Sequence, residues 1–193
     1  QPHLILRKAG GRAAQEDEEI GLTGNLLFDR MVGSQIYTVT ASTYAQIGSD
    51  NLCHMLEEQL KEQGKNPYVI PVGGSNAIGL FGYIECIREI LETSQESYDH
   101  IVFACGSGGT VAGLAIGAKL SGISSKLHAV GVCDSPEYFY NHIEEVAKSI
   151  GLNFDELGPV TGWCNIYNGQ GIGYARSTED ELKYLIEVAE KTG

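Results

Sequence analysis

Basic side chains are scarce in this sequence: 13 Lys and Arg stand against 25 Asp and Glu, a net charge of −12. Nucleic acid and anionic membranes both attract basic patches, so this balance argues against either as a partner. No apolar run approaches the length of a transmembrane span, and the first residues lack the basic-then-apolar pattern of a secretory signal. The chain is therefore expected in an intracellular compartment, cytoplasmic or mitochondrial. The five cysteines, at 53, 86, 105, 133 and 164, are odd in number and widely spaced, and form neither a disulfide framework nor a CxxC pair. Cys105 and Cys133 lie in apolar strand-like runs and are expected as small buried hydrophobes. His3, His54, His100, His128 and His142 make no HExxH or His/Cys cluster, so no metal site is expected.

Glycine is abundant, with 25 residues, and its densest use follows an apolar run. His100–Gly117, HIVFACGSGGTVAGLAIG, predicts a β-strand, a glycine turn and a helix of small apolar residues. Gly106, Ser107, Gly108, Gly109 and Thr110 allow positive φ and close backbone approach at the positive end of a helix dipole, which makes an anion seat. The run is neither G-x-x-x-x-G-K-[ST] nor G-x-G-x-x-G, and a glycine turn in isolation serves close packing as readily as it serves an anion.

The surrounding pattern favours the anion. Strands are predicted at His3–Arg7, Gln35–Thr40, Tyr68–Val72, His100–Cys105 and His128–Val132. Helices are predicted at Asn25–Met31, from Ser49-Asp50 as cap to Gly64, after Gly73-Gly74-Ser75-Asn76 to Thr93, at Val111–Lys119, and from Pro136 to Ile150. Lys8–Gly21 reads as a solvated loop. Gly151–Gly173 reads as irregular, with a short helix near Asn153–Leu157. A last helix after Thr178, with Glu181 in capping-box spacing, is expected to bury Leu182, Leu185, Ile186 and Ala189. Such alternation predicts an α/β fold: parallel sheets with helices on both faces, and ligands at the carboxyl ends of the strands. No acidic residue stands about 20 residues after the glycine turn, which disfavours a dinucleotide. The sequence opens on Gln1 without Met and stops just after a helix, so both ends read as interruptions of α/β units.

PYVIPVGGSNAIGLFGYIE (67–85), VFACGSGGTVAGLAIG (102–117), VCDSPEYFY (132–140), GIGYARSTEDEL (171–182) and GNLLFDR (24–30) together resemble the D-cysteine desulfhydrase and 1-aminocyclopropane-1-carboxylate deaminase family, in order along nearly the whole chain. That resemblance implies the tryptophan synthase β-like fold of pyridoxal phosphate enzymes (fold type II), with its N- and C-terminal segments expected to be lacking here. Residues 1–70 would be part of the small domain and 71–193 part of the large cofactor-binding domain. It also implies pyridoxal 5′-phosphate as cofactor, a small amino acid as substrate, and a homodimer.

Gly106, Ser107, Gly108, Gly109 and Thr110 match the family's phosphate loop. Tyr174 matches a tyrosine assigned to substrate binding or proton transfer, although from its own context it reads as a packing residue in a loop. Gly73, Gly74 and Ser75 match the entry into the large domain and are expected as a structural turn. The family's cofactor-anchoring lysine lies in an N-terminal segment, and none of the eight lysines here follows its pattern. The implied activity is D-cysteine breakdown to pyruvate, sulfide and ammonia. Deamination of the cyclopropane substrate to 2-oxobutanoate, or a catalytically silent phosphate-binding domain, are the alternatives.

Overall fold

The computed structural model describes residues 1–8, 24–93, 98–174 and 176–193, so most of the loop expected over Lys8–Gly21 lies outside the described residues. The chain forms two compact units, Gln1–Val72 and Gly73–Gly193.

In the first unit, β1 (His3–Arg7) and β2 (Gln35–Val39) pair in parallel, with His3 opposite Gln35 and Arg7 opposite Val39. Between them runs α1 (Asn25–Met31), followed after β2 by α2 (Ala41–Ile47) and α3 (Ser49–Glu62). The sequence pattern does not announce α2. It starts at Thr40, whose hydroxyl accepts from the Thr43 amide, a side-chain cap that satisfies one orphan donor of the first turn. Expectation and structure part at α3, where Ser49 is the first helical residue and Gly48, at φ 82°, stands in the cap position. Leu52 and Leu60 are buried there while Met55 faces solvent; α1 buries none of its residues, Met31 included.

Tyr68–Val72 is not a strand. Among the described residues it has no strand partner and ends in a 3-10 turn at Val72–Gly74, leaving Tyr68, Ile70 and Val72 exposed. β-Propensity describes fit to a pleated neighbour, and Pro71 has no amide to give a ladder.

The second unit is built on a parallel sheet of order β3-β4-β5, with β3 His100–Cys105, β4 Lys126–Gly131 and β5 Asn165–Asn168. β5 falls inside the stretch expected to be irregular. Only two of its four residues are apolar, and tertiary contacts define it: the Tyr140 hydroxyl accepts from the Ile166 amide and donates to the Cys164 carbonyl. α4 (Leu80–Thr93), α5 (Gly109–Ser121) and α6 (Pro136–Ser149) supply the helical layer, joined by the single turn α7 (Phe154–Leu157). Ser135 caps α6 through the Tyr138 amide, and Asn153 caps α7 through the Asp155 amide.

α5 is apolar on every side, so it belongs inside the core rather than on its surface. Val111, Ala112, Ala115 and Ile116 are fully buried, packed with Leu127, Ala129, Phe139 and Ile143. Its glycines fix how near α4 comes: a Cβ on Gly113 would sit 2.4 Å from the Tyr83 Cβ, and one on Gly117 would sit 3.1 Å from the Ile84 Cα. On the opposite face of the sheet Val102 is 67% exposed, and a polar chain runs across the three strands. There His100 Nδ1 meets His128 Nε2 at 2.7 Å, and His128 Nδ1 meets the Tyr167 hydroxyl at 2.9 Å.

The last helix, α8 (Glu179–Thr192), carries the predicted capping box in full. Its apolar stripe is not buried: Leu182, Leu185 and Ile186 are all at least half exposed. Among the described residues no helix is long and apolar enough to cross a membrane.

Candidate functional site: a glycine loop braced by Ser75, His142 and Cys133

Because β3, β4 and β5 are parallel, the segments that follow them emerge at one end of the sheet: 106–108, 132–135 and 169–174. The glycine loop of 106–110 joins β3 to α5. Gly108 holds φ 96°, a left-handed value that disfavours any side chain, and stands as N-cap; the first intrahelical bond is Ala112 N–H to the Gly108 carbonyl, 3.0 Å. The amides of Gly108, Gly109, Thr110 and Val111 thus have no intrahelical acceptor, and the dipole of a helix of 13 residues adds its positive end there.

Three side chains hold this loop from behind. The Ser75 hydroxyl donates to the Ser107 carbonyl at 3.0 Å, and the same oxygen lies 2.9 Å from His142 Nε2. A hydroxyl has one proton, and here it is given to Ser107, so His142 donates through Nε2–H and keeps its free lone pair on Nδ1. Burial lowers the His142 pKa from 6.5, outweighing the opposing pull of Glu145, and the ring is neutral at pH 7. The Tyr138 ring lies nearly parallel to it, at an interplanar angle of 4°.

The third brace is Cys133, which is exposed rather than a buried hydrophobe. Its thiol donates to the Gly106 carbonyl at 3.0 Å. Partial burial and Asp134 raise its pKa, which keeps the proton on sulfur.

Packing is close on this side of the loop. A Cβ on Gly73 would fall 2.1 Å from Ser107 Oγ, one on Gly108 would fall 2.6 Å from His142 Cδ2, and one on Gly109 would fall 3.1 Å from the Ser75 Cα. Over Gly106 no atom of the described residues lies within 4 Å of such a position. Orphan amides, the Thr110 hydroxyl, the helix dipole and the absence of any carboxylate within 106–110 fit a phosphate monoester. The Ser107 hydroxyl, by contrast, is turned to Gly73, so Ser107 offers its amide.

Of the sequence-predicted residues, Gly106, Ser107, Gly108, Gly109 and Thr110 form this one loop. Tyr174 is on the turn after β5, closed by Gly173 N–H to the Gln170 carbonyl, and its ring is 65% exposed rather than packed into the loop. Sequence reasoning treated Ser75 as a turn residue and assigned His142 no role. The only available signal was spacing: His142 is three residues after Phe139 and next to Ile143, on the flank of the α6 stripe.

A cavity of about 420 Å³ opens at the other, amino-terminal end of the sheet, lined by Lys119, Lys126, Trp163 and Asn165 among others. It is remote from the glycine loop. The remaining lysines of this unit, Lys148, Lys183 and Lys191, pair with Glu144, Asp180 and Glu187 on solvent-facing helix surfaces.

Comparison with known proteins identifies the family. Residues 15–193 match the family model described as pyridoxal-phosphate dependent enzyme. The chain is 43% identical over 198 aligned residues to the bifunctional D-cysteine desulfhydrase/1-aminocyclopropane-1-carboxylate deaminase, mitochondrial, of Arabidopsis thaliana, covering 99% of this chain and 47% of that protein. It is 38% identical to the D-cysteine desulfhydrase of Serratia proteamaculans over 72% of this chain and 42% of that one. A crystal structure of an ACC deaminase homologue superposes with a TM-score of 0.74 at 25% identity, over 96% of this chain and 53% of the other. The chain thus spans about half the length of the relatives it matches. Over that span, fold, glycine loop and sequence agree that it belongs to the pyridoxal-phosphate dependent enzymes.

Proposed function

We propose that Gly106–Thr110 seats the phosphate of pyridoxal 5′-phosphate and that the whole protein breaks down D-cysteine to pyruvate, sulfide and ammonia. The observation that carries this reading is the glycine loop at the carboxyl end of a parallel sheet, within a span similar to two proteins named D-cysteine desulfhydrase. Residues 71–193 would then belong to the cofactor-binding domain and residues 1–70 to the smaller one.

The cofactor, when bound, supplies an electron sink for charge developing at the substrate α-carbon. The chain's own part is to hold it. The amides of 107–111 donate to the phosphate, each such charge-assisted bond contributing about 1.5–3 kcal/mol, while Ser75 and Cys133 keep the loop carbonyls turned away from it. Tyr174 is proposed to face the substrate and carry a proton, a role its exposed turn leaves open to an incoming ligand. A homodimer and an intracellular setting, cytoplasmic or mitochondrial, belong to the same proposal; the mitochondrial label in the Arabidopsis protein's name supports the latter compartment.

A second reading, deamination of 1-aminocyclopropane-1-carboxylate to 2-oxobutanoate and ammonia, is favoured by the bifunctional name of the Arabidopsis relative and by the structural neighbour. Supplying both substrates to the full-length protein and measuring sulfide and 2-oxobutanoate separates the two. Sulfide release in excess supports the first reading and 2-oxobutanoate in excess the second. Neither product, with no cofactor fixed to a lysine by borohydride, leaves a silent phosphate-binding domain.

A further inference from the structure

We infer that Ser75 and His142 act as a positioning pair for the anion seat: they fix the peptide plane between Ser107 and Gly108 so that the Gly108 amide faces the bound phosphate. This rests on the phosphate reading of 106–110 given above.

The argument is one of peptide geometry. In a trans peptide the carbonyl and the amide hydrogen of one plane point in opposite directions. The Ser107 carbonyl accepts from Ser75 Oγ at 3.0 Å, so the N–H of Gly108 is directed away from Ser75. With φ 96° at Gly108, and with glycine's freedom to rotate, that plane has little intrinsic preference. An external bond has to set it.

His142 supplies the second half of the device. Its Nε2–H, 2.9 Å from Ser75 Oγ, occupies a lone pair of that oxygen and orients the hydroxyl proton toward Ser107. The ring also fills the space behind Gly108, where a Cβ would come within 2.6 Å of Cδ2. The two residues reach the loop from separate elements, the turn before α4 and the body of α6, and neither needs to touch the ligand. They are positioning residues, distinct from the loop that does the binding.

The test compares affinity for pyridoxal 5′-phosphate with affinity for pyridoxal, which lacks the phosphate, using the full-length protein stripped of cofactor. Native protein that prefers the phosphorylated form supports the phosphate seat; no preference overturns that seat, and with it the positioning role. Given the preference, Ser75→Ala and His142→Leu are each expected to weaken pyridoxal 5′-phosphate binding about tenfold, the loss of one oriented hydrogen bond, and to leave pyridoxal binding within about twofold. His142→Gln, which keeps an N–H donor near Nε2, restores most of the affinity, and so does Ser75→Thr. A role in folding alone would depress both ligands together. Equal weakening of both ligands, or His142→Gln as weak as His142→Leu, overturns the inference while leaving the phosphate seat standing.

Discussion

α5 and α8 are nearly equal in length and opposite in kind. α5 has no side-chain cap, three glycines including the one it opens on, and almost no polar face, yet most of its residues are buried. α8 has a complete capping box, acidic residues in its first turn and Lys191 in its last, yet buries nothing. Local signals start and stop a helix; they do not decide whether a partner surface is there to receive it. α5 is made by the sheet and by α4 and α6, and the glycine loop at its N-terminus inherits that rigidity.

The largest break in the comparison comes from truncating one apolar side chain on each helix. Ile116→Ala, at a fully buried site, is expected to destabilise the second unit by about 2–5 kcal/mol, through lost burial plus a cavity. Leu185→Ala, at a site 59% exposed, is expected to stay within about 0.5 kcal/mol. Denaturant titration of both variants checks the pair; equal losses would mean that α8 docks on a surface after all.

Next in size is Gly108→Val, which forces a β-branched residue into a left-handed conformation and against His142. Overpacking of about 1–3 kcal/mol corresponds to about a 5- to 150-fold loss of cofactor affinity. Unchanged retention of pyridoxal 5′-phosphate in equilibrium dialysis would place the phosphate elsewhere.

Cap removal sharpens the contrast at about 1 kcal/mol. Ser135→Ala should lower the melting midpoint of the core that α6 belongs to, whereas Thr178→Ala should fray α8 alone, visible as helix loss by circular dichroism without a shifted midpoint.

Smallest is a pH effect with a defined order. The native pKa of His142 is depressed, chiefly by burial and against Glu145, so the unfolded chain takes up its proton first. Stability from this site is therefore complete above about pH 6.5 and falls as pH drops through that value toward the lower native one. Glu181, whose pKa is lowered by the Thr178 amide and hydroxyl, contributes above its unfolded value of 4.5 and loses that contribution at still lower pH. On acidification the amide protection factors of α6 around His142 should fall before those of the first turns of α8. His142→Gln should abolish the first step only.

Much of this was legible in the sequence where local chemistry suffices. Short apolar and β-branched runs marked β1, β2, β3 and β4, and Thr178 with Glu181 marked the start of α8 to the residue. Where a segment's state depends on a neighbour, the pattern misled. Among the described residues, Tyr68–Val72 has strand composition and no strand beside it, Asn165–Asn168 has little strand composition and is one because β4 and Tyr140 pair with it, and the α8 stripe looks like a core face that no surface meets.

By itself the sequence determined an α/β chain with parallel strands, a glycine loop in the place and order of a pyridoxal phosphate family, and the five residues of that loop. These follow from propensity, periodicity and the conformations that only glycine adopts readily, all properties of short segments. Only the tertiary structure decided what braces the loop. Ser75 and His142 are 67 residues apart, and Cys133 reaches Gly106 from the end of another strand. Such pairings arise from how helices and strands stack, and a hydrogen bond across that distance in sequence leaves no local trace.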